Sequence, residues 1–287
     1  YVSETVDARV LEVIRTYSFG RDTEVKVVPA CECGGVTDVE ALKTALTEDK
    51  SAACFLMQYP NYYGIVEDAD EIADIVHEAG AQLIMSVNPI ALGVLKTPGE
   101  IGADIVCGEG QPLGLGLAYG GPYLGILATT AKNTRKIVGR LVGETVDSRG
   151  ERGFVLTLQA REQHIRREKA SSNVCSNQAL CALKAGVYMT AVGPAGIKQV
   201  ATLCSSKAHY LAEGLVSAGL SLKFDKPFFH EFVTVCADAD AILKALADKG
   251  ILGGLKLSDT EILWCATELN TKDQMDEVIE IVKGVSK

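Results

Sequence analysis

The chain has 287 residues, 47% of them apolar, and a formal net charge of -9. That length and composition suit one large or two smaller packed domains and argue against extensive disorder. The acidic balance argues against non-specific nucleic-acid binding, no apolar run is read that approaches the ~20 residues of a membrane span, and YVSETVDARVLEVIR lacks the basic start and apolar stretch of a signal peptide.

The chain does not begin with Met and opens on a strand-to-helix step, so it reads as a fragment of something longer. Val6, Val10, Val13, Ile14 and Tyr17 recur at helical spacing and predict a helix over 4–17. Residues 24–29 alternate as a strand. Thr37-Asp38-Val39-Glu40 has capping-box spacing and opens a helix to residue 46. The continuous apolar run at 51–57 reads as a parallel strand covered on both faces. A helix follows over 66–79, stopped by Gly80, then a buried strand over 82–87 ending at Asn88-Pro89, and a strand over 101–107. Next comes a loop holding Gly108, Gly110, Gly114, Gly116, Gly120 and Gly121, with a strand at 123–128 behind it. Strand and helix alternating at this pace predict βαβ units and a mainly parallel sheet flanked by helices, with right-handed crossovers. Ligands of such sheets lie beyond the carboxyl ends of the strands. That rule places Tyr59, Pro60, Asn61, Asn88, Pro89 and residues 108–111 along a cleft.

Further on, the pattern predicts a helix over 129–138, a polar loop over 139–153, a short apolar piece at 154–158, a charged segment at 161–169 and a long helix over 173–190. Gly193-Pro194 marks a break. It divides the chain into a large α/β domain, 1–192, and a smaller C-terminal α/β domain, 193–287. In the latter a helix over 196–218 precedes strands at 220–224, 231–236 and 261–266, with helices at 238–249 and from 271. Thr271-x-x-Gln274 is a second capping box.

Several chemistries fail on spacing. Gly108-Glu109-Gly110 and Gly114-Leu115-Gly116 start a G-x-G, but the third glycine comes four places on and no helix follows, so the dinucleotide fingerprint is absent. No phosphate loop, no G-x-S-x-G elbow and no paired-histidine metal frame occurs among His77, His164, His209 and His230. Nine cysteines in apolar segments read as reduced core thiols, and Cys31-Glu32-Cys33 lacks the second cysteine pair of a zinc site. Arg161, His164, Arg166, Arg167 and Lys169 form a basic cluster in an acidic chain. Glu162 and Arg166 at i,i+4 allow a solvated ion-paired helix face; the arginine forks equally allow an anion site or a subunit interface. Ser171, Ser172 and Asn173 would cap the helix behind it.

Three stretches carry a family likeness: VNPIALGVLKTPGEIGADIV, GEGQPLGLGLAYGGPYLG and GRLVGETVDSRGERGFVLTLQAREQHIRREKASSNVCSNQALCAL, with KGILGG near Gly250. They closely resemble the glycine cleavage system P-protein family (glycine dehydrogenase, decarboxylating), over essentially the whole chain, which looks like the C-terminal two-thirds or so of its subunit 1, without the N-terminal arm and the first part of the large domain. The resemblance implies a pyridoxal-phosphate (PLP) fold type I transferase-like architecture, with a seven-stranded sheet and a smaller C-terminal α/β domain. It implies glycine as substrate, PLP as cofactor of the complex, a PLP-bearing subunit 2 and a lipoylated H-protein as partners, and a cytoplasmic heterotetramer. In that fold an Asp at a strand end pairs with the cofactor's ring nitrogen and a Lys before a Gly-Gly-Pro turn forms the Schiff base. Here Asn88 stands at the Asp position, and the Lys position falls around Gln111; no lysine occurs from Thr97 to Ala131. The implied reading is a subunit without its own PLP and without a catalytic residue acting alone. Asn88, Glu109, Gln111, Arg161, His164, Arg166, Arg167, Ser172 and Asn173 would support an active site shared with subunit 2. Two rivals stand beside it: a purely structural or regulatory pairing module, and a self-contained PLP enzyme using Lys96, Lys132 or Lys169.

Overall fold

The apolar runs near 51–57 and 82–87 become the two central strands of a sheet, neighbours along their whole length. A computed structural model describes residues 1–21, 23–31, 34–170 and 178–285. Its elements are β1 (Val2–Ser3), α1 (Ala8–Phe19), β2 (Val27–Val28), α2 (Val39–Glu48), β3 (Cys54–Tyr59), α3 (Ala69–Glu78), β4 (Gln82–Val87), α4 (Pro98–Ile101), β5 (Ile105–Glu109) and β6 (Gly125–Thr129). There follow β7 (Leu141–Val146), β8 (Arg152–Thr157), α5 (Gln163–Arg166), α6 (Ala179–Ser217), β9 (Ser221–Leu222), β10 (Glu231–Val235), α7 (Ala239–Ala247), β11 (Leu255–Ser258), β12 (Glu261–Cys265) and α8 (Lys272–Val285).

The first sheet has the order β2-β1-β3-β4-β5-β6. Its first five strands run parallel and β6 returns antiparallel on β5. β3 and β4 pair in register from Cys54↔Gln82 to Tyr59↔Val87. Phe55 and Met57 of β3 and Leu83 and Met85 of β4 are fully buried, packed with Leu42 and Leu46 of α2 and Ile72 and Val76 of α3. Each such side chain contributes roughly 1.5–3 kcal/mol by leaving water. The alternate residues of β3 and β4 are only half-buried, so the other face is partly covered. A second sheet, β11-β12-β10-β9, is antiparallel. It buries Phe232, Ile262 and Trp264 against Ala208, Leu211 and Leu215 of α6 and against α7 and α8. The Trp264 indole N–H donates to Thr234 Oγ1 at 2.7 Å inside this core.

Most predicted elements fall within a few residues of the observed ones, and 82–87 matches β4. The differences have local causes. The seven strands implied by the resemblance are six among the described residues, and the outer edge of β6 pairs with no further strand there. α1 begins at Ala8 because Asp7 caps it, accepting from Arg9 N, while Glu4 accepts from Ala30 N. Asp38, not Thr37, caps α2; the Thr37 hydroxyl is buried against Ser3 instead. The predicted helix over 129–138 shrinks to a single turn at Ala131–Asn133. The predicted loop over 139–153 contains most of a β-hairpin, β7 with β8, turned by Asp147, whose carboxylate accepts from the backbone N–H of Arg149 and Glu151. β11 was not predicted. The predicted break at Gly193-Pro194 is observed: Gly193 takes φ 63, ψ 179, outside helical backbone, so Ala179–Ser217 is two helices that meet there, the second starting at Pro194, which needs no N–H at a helix start. Taken as one run, Ala179–Ser217 is long and apolar enough by length and composition to cross a membrane, but Gly193 breaks the helix within it. Its C-terminal half is packed in the second core.

The two sheets are joined where the loop after Tyr59 meets the loop before β10. Phe229 N donates to Gly64 O at 3.0 Å and Val66 N to Pro227 O at 2.9 Å. Gly64 has φ +83, and a Cβ there would overlap the Glu231 carbonyl. Gly80 has φ +78 with open space around it. Gly80→Ala should therefore cost about 1–2 kcal/mol, the left-handed backbone penalty alone. Gly64→Ala should cost roughly 3 kcal/mol or more, because the seam must part as well. Urea unfolding of the two variants checks the contrast.

Candidate functional site

β3, β4 and β5 end side by side, and the residues just past them face the start of β10 from the second sheet. Pro60, Asn88, Pro89, Glu109 and Gln111 line a cavity of about 260 Å³ closed on the other side by His230 and Glu231. This is the cleft that the strand-end rule predicts. Tyr59, Asn61, Gly108 and Gly110 do not line it; Tyr59 and Asn61 are buried. A larger cavity of about 620 Å³ continues beyond, toward the glycine-bearing loop at 250–254. Asp7, Gln58 and Glu231 border both.

The polar groups of the cleft are mostly occupied with the chain itself. Asn88 Oδ1 accepts from Ile90 N at 3.0 Å, and its Nδ2 lies 3.4 Å from His230 Nε2. An amide N–H can only donate, so Nε2 accepts and the ring proton sits on Nδ1. That Nδ1 is buried without a partner. Burial pushes His230 down to about 4, so the ring is neutral at pH 7. Glu109 Oε1 accepts from Gln111 N at 2.9 Å and Leu124 N at 2.8 Å, tying together the two ends of the glycine-rich loop. Gln111 Nε2 donates to Leu115 O at 2.8 Å and turns the amide into that loop. Asn88, Glu109 and Gln111 are thus the walls of the cleft. Asp7 is held by Arg9, whose Nη2 lies 2.6 Å from Oδ2 and whose Nε donates at 3.1 Å, and these bonds keep its carboxyl below the usual range. Glu231 is pushed up to about 7, by burial and then by the charge of Asp7.

The basic segment does not join this cleft. His164, Arg166 and Arg167 are exposed and border neither cavity. The expected Glu162–Arg166 pair is replaced. Arg166 Nε donates to Ala160 O at 2.9 Å, and the Glu162 carboxylate lies 3.7 Å from both Arg140 and His164. The helix needed for i,i+4 pairing begins only after Glu162. The Arg161 side chain, Ser172 and Asn173 lie outside the described residues. Sequence reasoning missed His230 and Glu231. Their signal was present: two ionisable residues directly before the apolar strand residues Phe232 and Val233.

The cleft residues do not fit a covalently held PLP. Such a cofactor needs an amine for its aldehyde and cationic or N–H donors for its phosphate. Among the described residues neither a lysine nor an arginine borders the 260 Å³ cavity, whose ionisable side chains are Asp7, Glu109, His230 and Glu231. Lys96 is paired with Asp70 at 2.5 Å, and Lys132 and Lys169 sit on exposed turns. The fold offers the place and the side chains withhold the chemistry.

The two neighbours His230 and Glu231 give a pH test. A carboxyl whose native value is raised holds its proton longer folded than unfolded, so its contribution to stability falls as pH rises from the usual 4.5 to about 7. Glu231→Gln removes that loss. The stability of the variant relative to the parent should grow by about 1.4 kcal/mol per pH unit across that window and level off above it. His230 works with the opposite sign, gaining stability as pH rises from about 4 to 6.5. His230→Asn should flatten that rise, and urea midpoints from pH 4 to 8 check both.

Comparison with known proteins places the chain. Residues 1–282 match the family model described as glycine cleavage system P-protein. A probable glycine dehydrogenase (decarboxylating) subunit 1 from Desulfitobacterium hafniense is 48% identical over 97% of this chain and 63% of its own length. The same-named protein of Bacillus subtilis is 46% identical over 97% of this chain and 63% of its own. The chain thus spans a little under two thirds of these relatives. A crystal structure of glycine decarboxylase (P-protein) of the glycine cleavage system, in inhibitor-bound form, superposes with a TM-score of 0.88 at 37% identity, over 99% of this chain and 64% of that one. A NifS-like protein from Rickettsia africae shares the fold at 16% identity and a TM-score of 0.69, covering 99% of this chain and 74% of that one. The architecture is that of the PLP-dependent fold type I enzymes, and the chain belongs to the glycine cleavage system P-protein family.

Proposed function

We propose that this chain is part of the PLP-free subunit 1 of a glycine decarboxylase. Subunit 2 carries the cofactor, decarboxylates glycine and passes the aminomethyl group to a lipoylated H-protein, in a cytoplasmic heterotetramer. The observation that carries this reading is that, among the described residues, no lysine or arginine borders the strand-end cleft. A scaffold of this fold with no amine at its cofactor position is a supporting half.

The surface fits that role. The β7–β8 hairpin forms a sheet of its own, and two strands alone are marginal in water. Val142, Val146 and Phe154 on it are more than 60% exposed, as are Leu180 and Leu183 at the start of α6. Apolar groups exposed together mark an interface. Arg161, His164, Arg166, Arg167, Ser172 and Asn173 lie in the chain between hairpin and helix, and this reading assigns them to the same surface.

Reconstitution of the full-length subunit with its partner tests the proposal. Exchange of the glycine carboxyl with bicarbonate should require both subunits, and borohydride reduction after PLP addition should fix the cofactor to the partner alone. A lysine of this chain labelled by that reduction would sink the reading. Phe154→Asp should weaken assembly at least about tenfold, about 1.4 kcal/mol, in sedimentation or light scattering.

A further inference from the structure

The carboxyl of Glu231 is set between the two sheets, mostly out of solvent, on the wall shared by the 260 and 620 Å³ cavities. Among the described residues none donates a hydrogen bond to it, and none brings a cation near enough to stabilise its charge. The nearest charged group is Asp7, of the same sign and already bound by Arg9 on three side-chain contacts of 2.6–3.1 Å. Counting both cavities, Asp7, Glu109, Glu231 and Glu277 face one arginine, which Asp7 occupies. A buried carboxyl left without a donor is costly, and its environment favours whatever supplies a positive charge and N–H groups. Beside it, the larger cavity turns apolar, lined by Leu211, Ile251, Met275 and Val278.

We propose that this crevice is a binding site for a small primary alkylammonium ion, its head on Glu231 and its stem on the apolar wall. An ammonium supplies three donors and the missing charge. A phosphate or carboxylate is repelled by the same lining. Phosphate-bearing ligands therefore do not belong here, whichever subunit carries the cofactor. Binding requires Glu231 ionised, so it expels the proton that burial retains near neutral pH. The titratable groups facing it are Asp7 and Arg9 at the start of α1, Tyr62 from the loop after β3, Glu109 from β5, His230 next to it in the chain, Cys265 from β12 and Glu277 from α8.

Calorimetric titration of the full-length subunit with n-propylammonium chloride tests this, with 1-propanol and potassium chloride as comparators. Saturable binding of the amine alone is expected, its affinity falling about tenfold per pH unit below pH 7. Glu231→Gln should abolish binding while keeping the native near-ultraviolet dichroism, and Glu213→Gln, exposed and bordering neither cavity, should bind as the parent does. In carbon-detected NMR the Glu231 carboxyl should titrate at least one pH unit lower with amine present. Equal binding of propanol or potassium, a pH-independent affinity, unchanged binding by Glu231→Gln, or no saturable amine heat would each overturn the proposal.

Discussion

One buried carboxylate holds the strand ends in place. Glu67 is 6% exposed and accepts from the Thr5 hydroxyl at 2.7 Å, the Thr37 N–H at 2.7 Å and the Asn61 amide at 2.8 Å. Those donors come from the segment after β1, the entrance to α2 and the loop after β3. Asn61 extends the network, donating to Gly35 O and accepting from the N–H groups of Tyr63 and Ile65. A charge this deep is tolerable only when hydrogen-bonded on all sides, so the network permits essentially one arrangement of these loops. That arrangement sets Gly64 against Glu231, and with it the seam between the sheets and the shape of the cleft.

The cleft therefore survives as geometry even though its side chains have turned inward. Asn88 spends its oxygen on the turn after β4 and its nitrogen on His230. Glu109 spends one oxygen on both ends of the glycine-rich loop. A site built to hold a cofactor leaves such groups free for the ligand. Here they stabilise the wall, which is what a chain needs if its cleft is retained for shape.

The buried parts of this design were legible in the sequence and the exposed parts were not. β3 and β4 announced themselves because a run of apolar residues has few other places to go. The strand-end rule then put Asn88, Glu109 and Gln111 at one cavity with no further information. The hairpin hid because its apolar residues alternate outward, and an exposed alternation interrupted by Gly143 and Gly153 looks like a loop. Gly193-Pro194 was legible as a break because such a pair does not continue a helix, and Gly193 does leave helical backbone there; the second half is then packed from Ala208 to Leu215 in the second core. His230 and Glu231 were illegible for a different reason. Their significance lies in which groups surround them, and those come from β1, β3 and β4, more than 140 residues away along the chain in the case of Asn88.

Glu67 and Glu231 make an instructive pair. Both are carboxyls placed between packed elements of the same chain. Glu67 is met by three donors and needs nothing more. Glu231 is met by a like charge and open cavity. Stability alone favours replacing an unpartnered buried carboxyl with a neutral or apolar group of the same volume. Its presence on the wall common to two cavities, beside a histidine that is itself held neutral, is therefore explained by a visitor and not by the fold. The fold has already shown, at Glu67, how it satisfies a carboxylate that it keeps for itself.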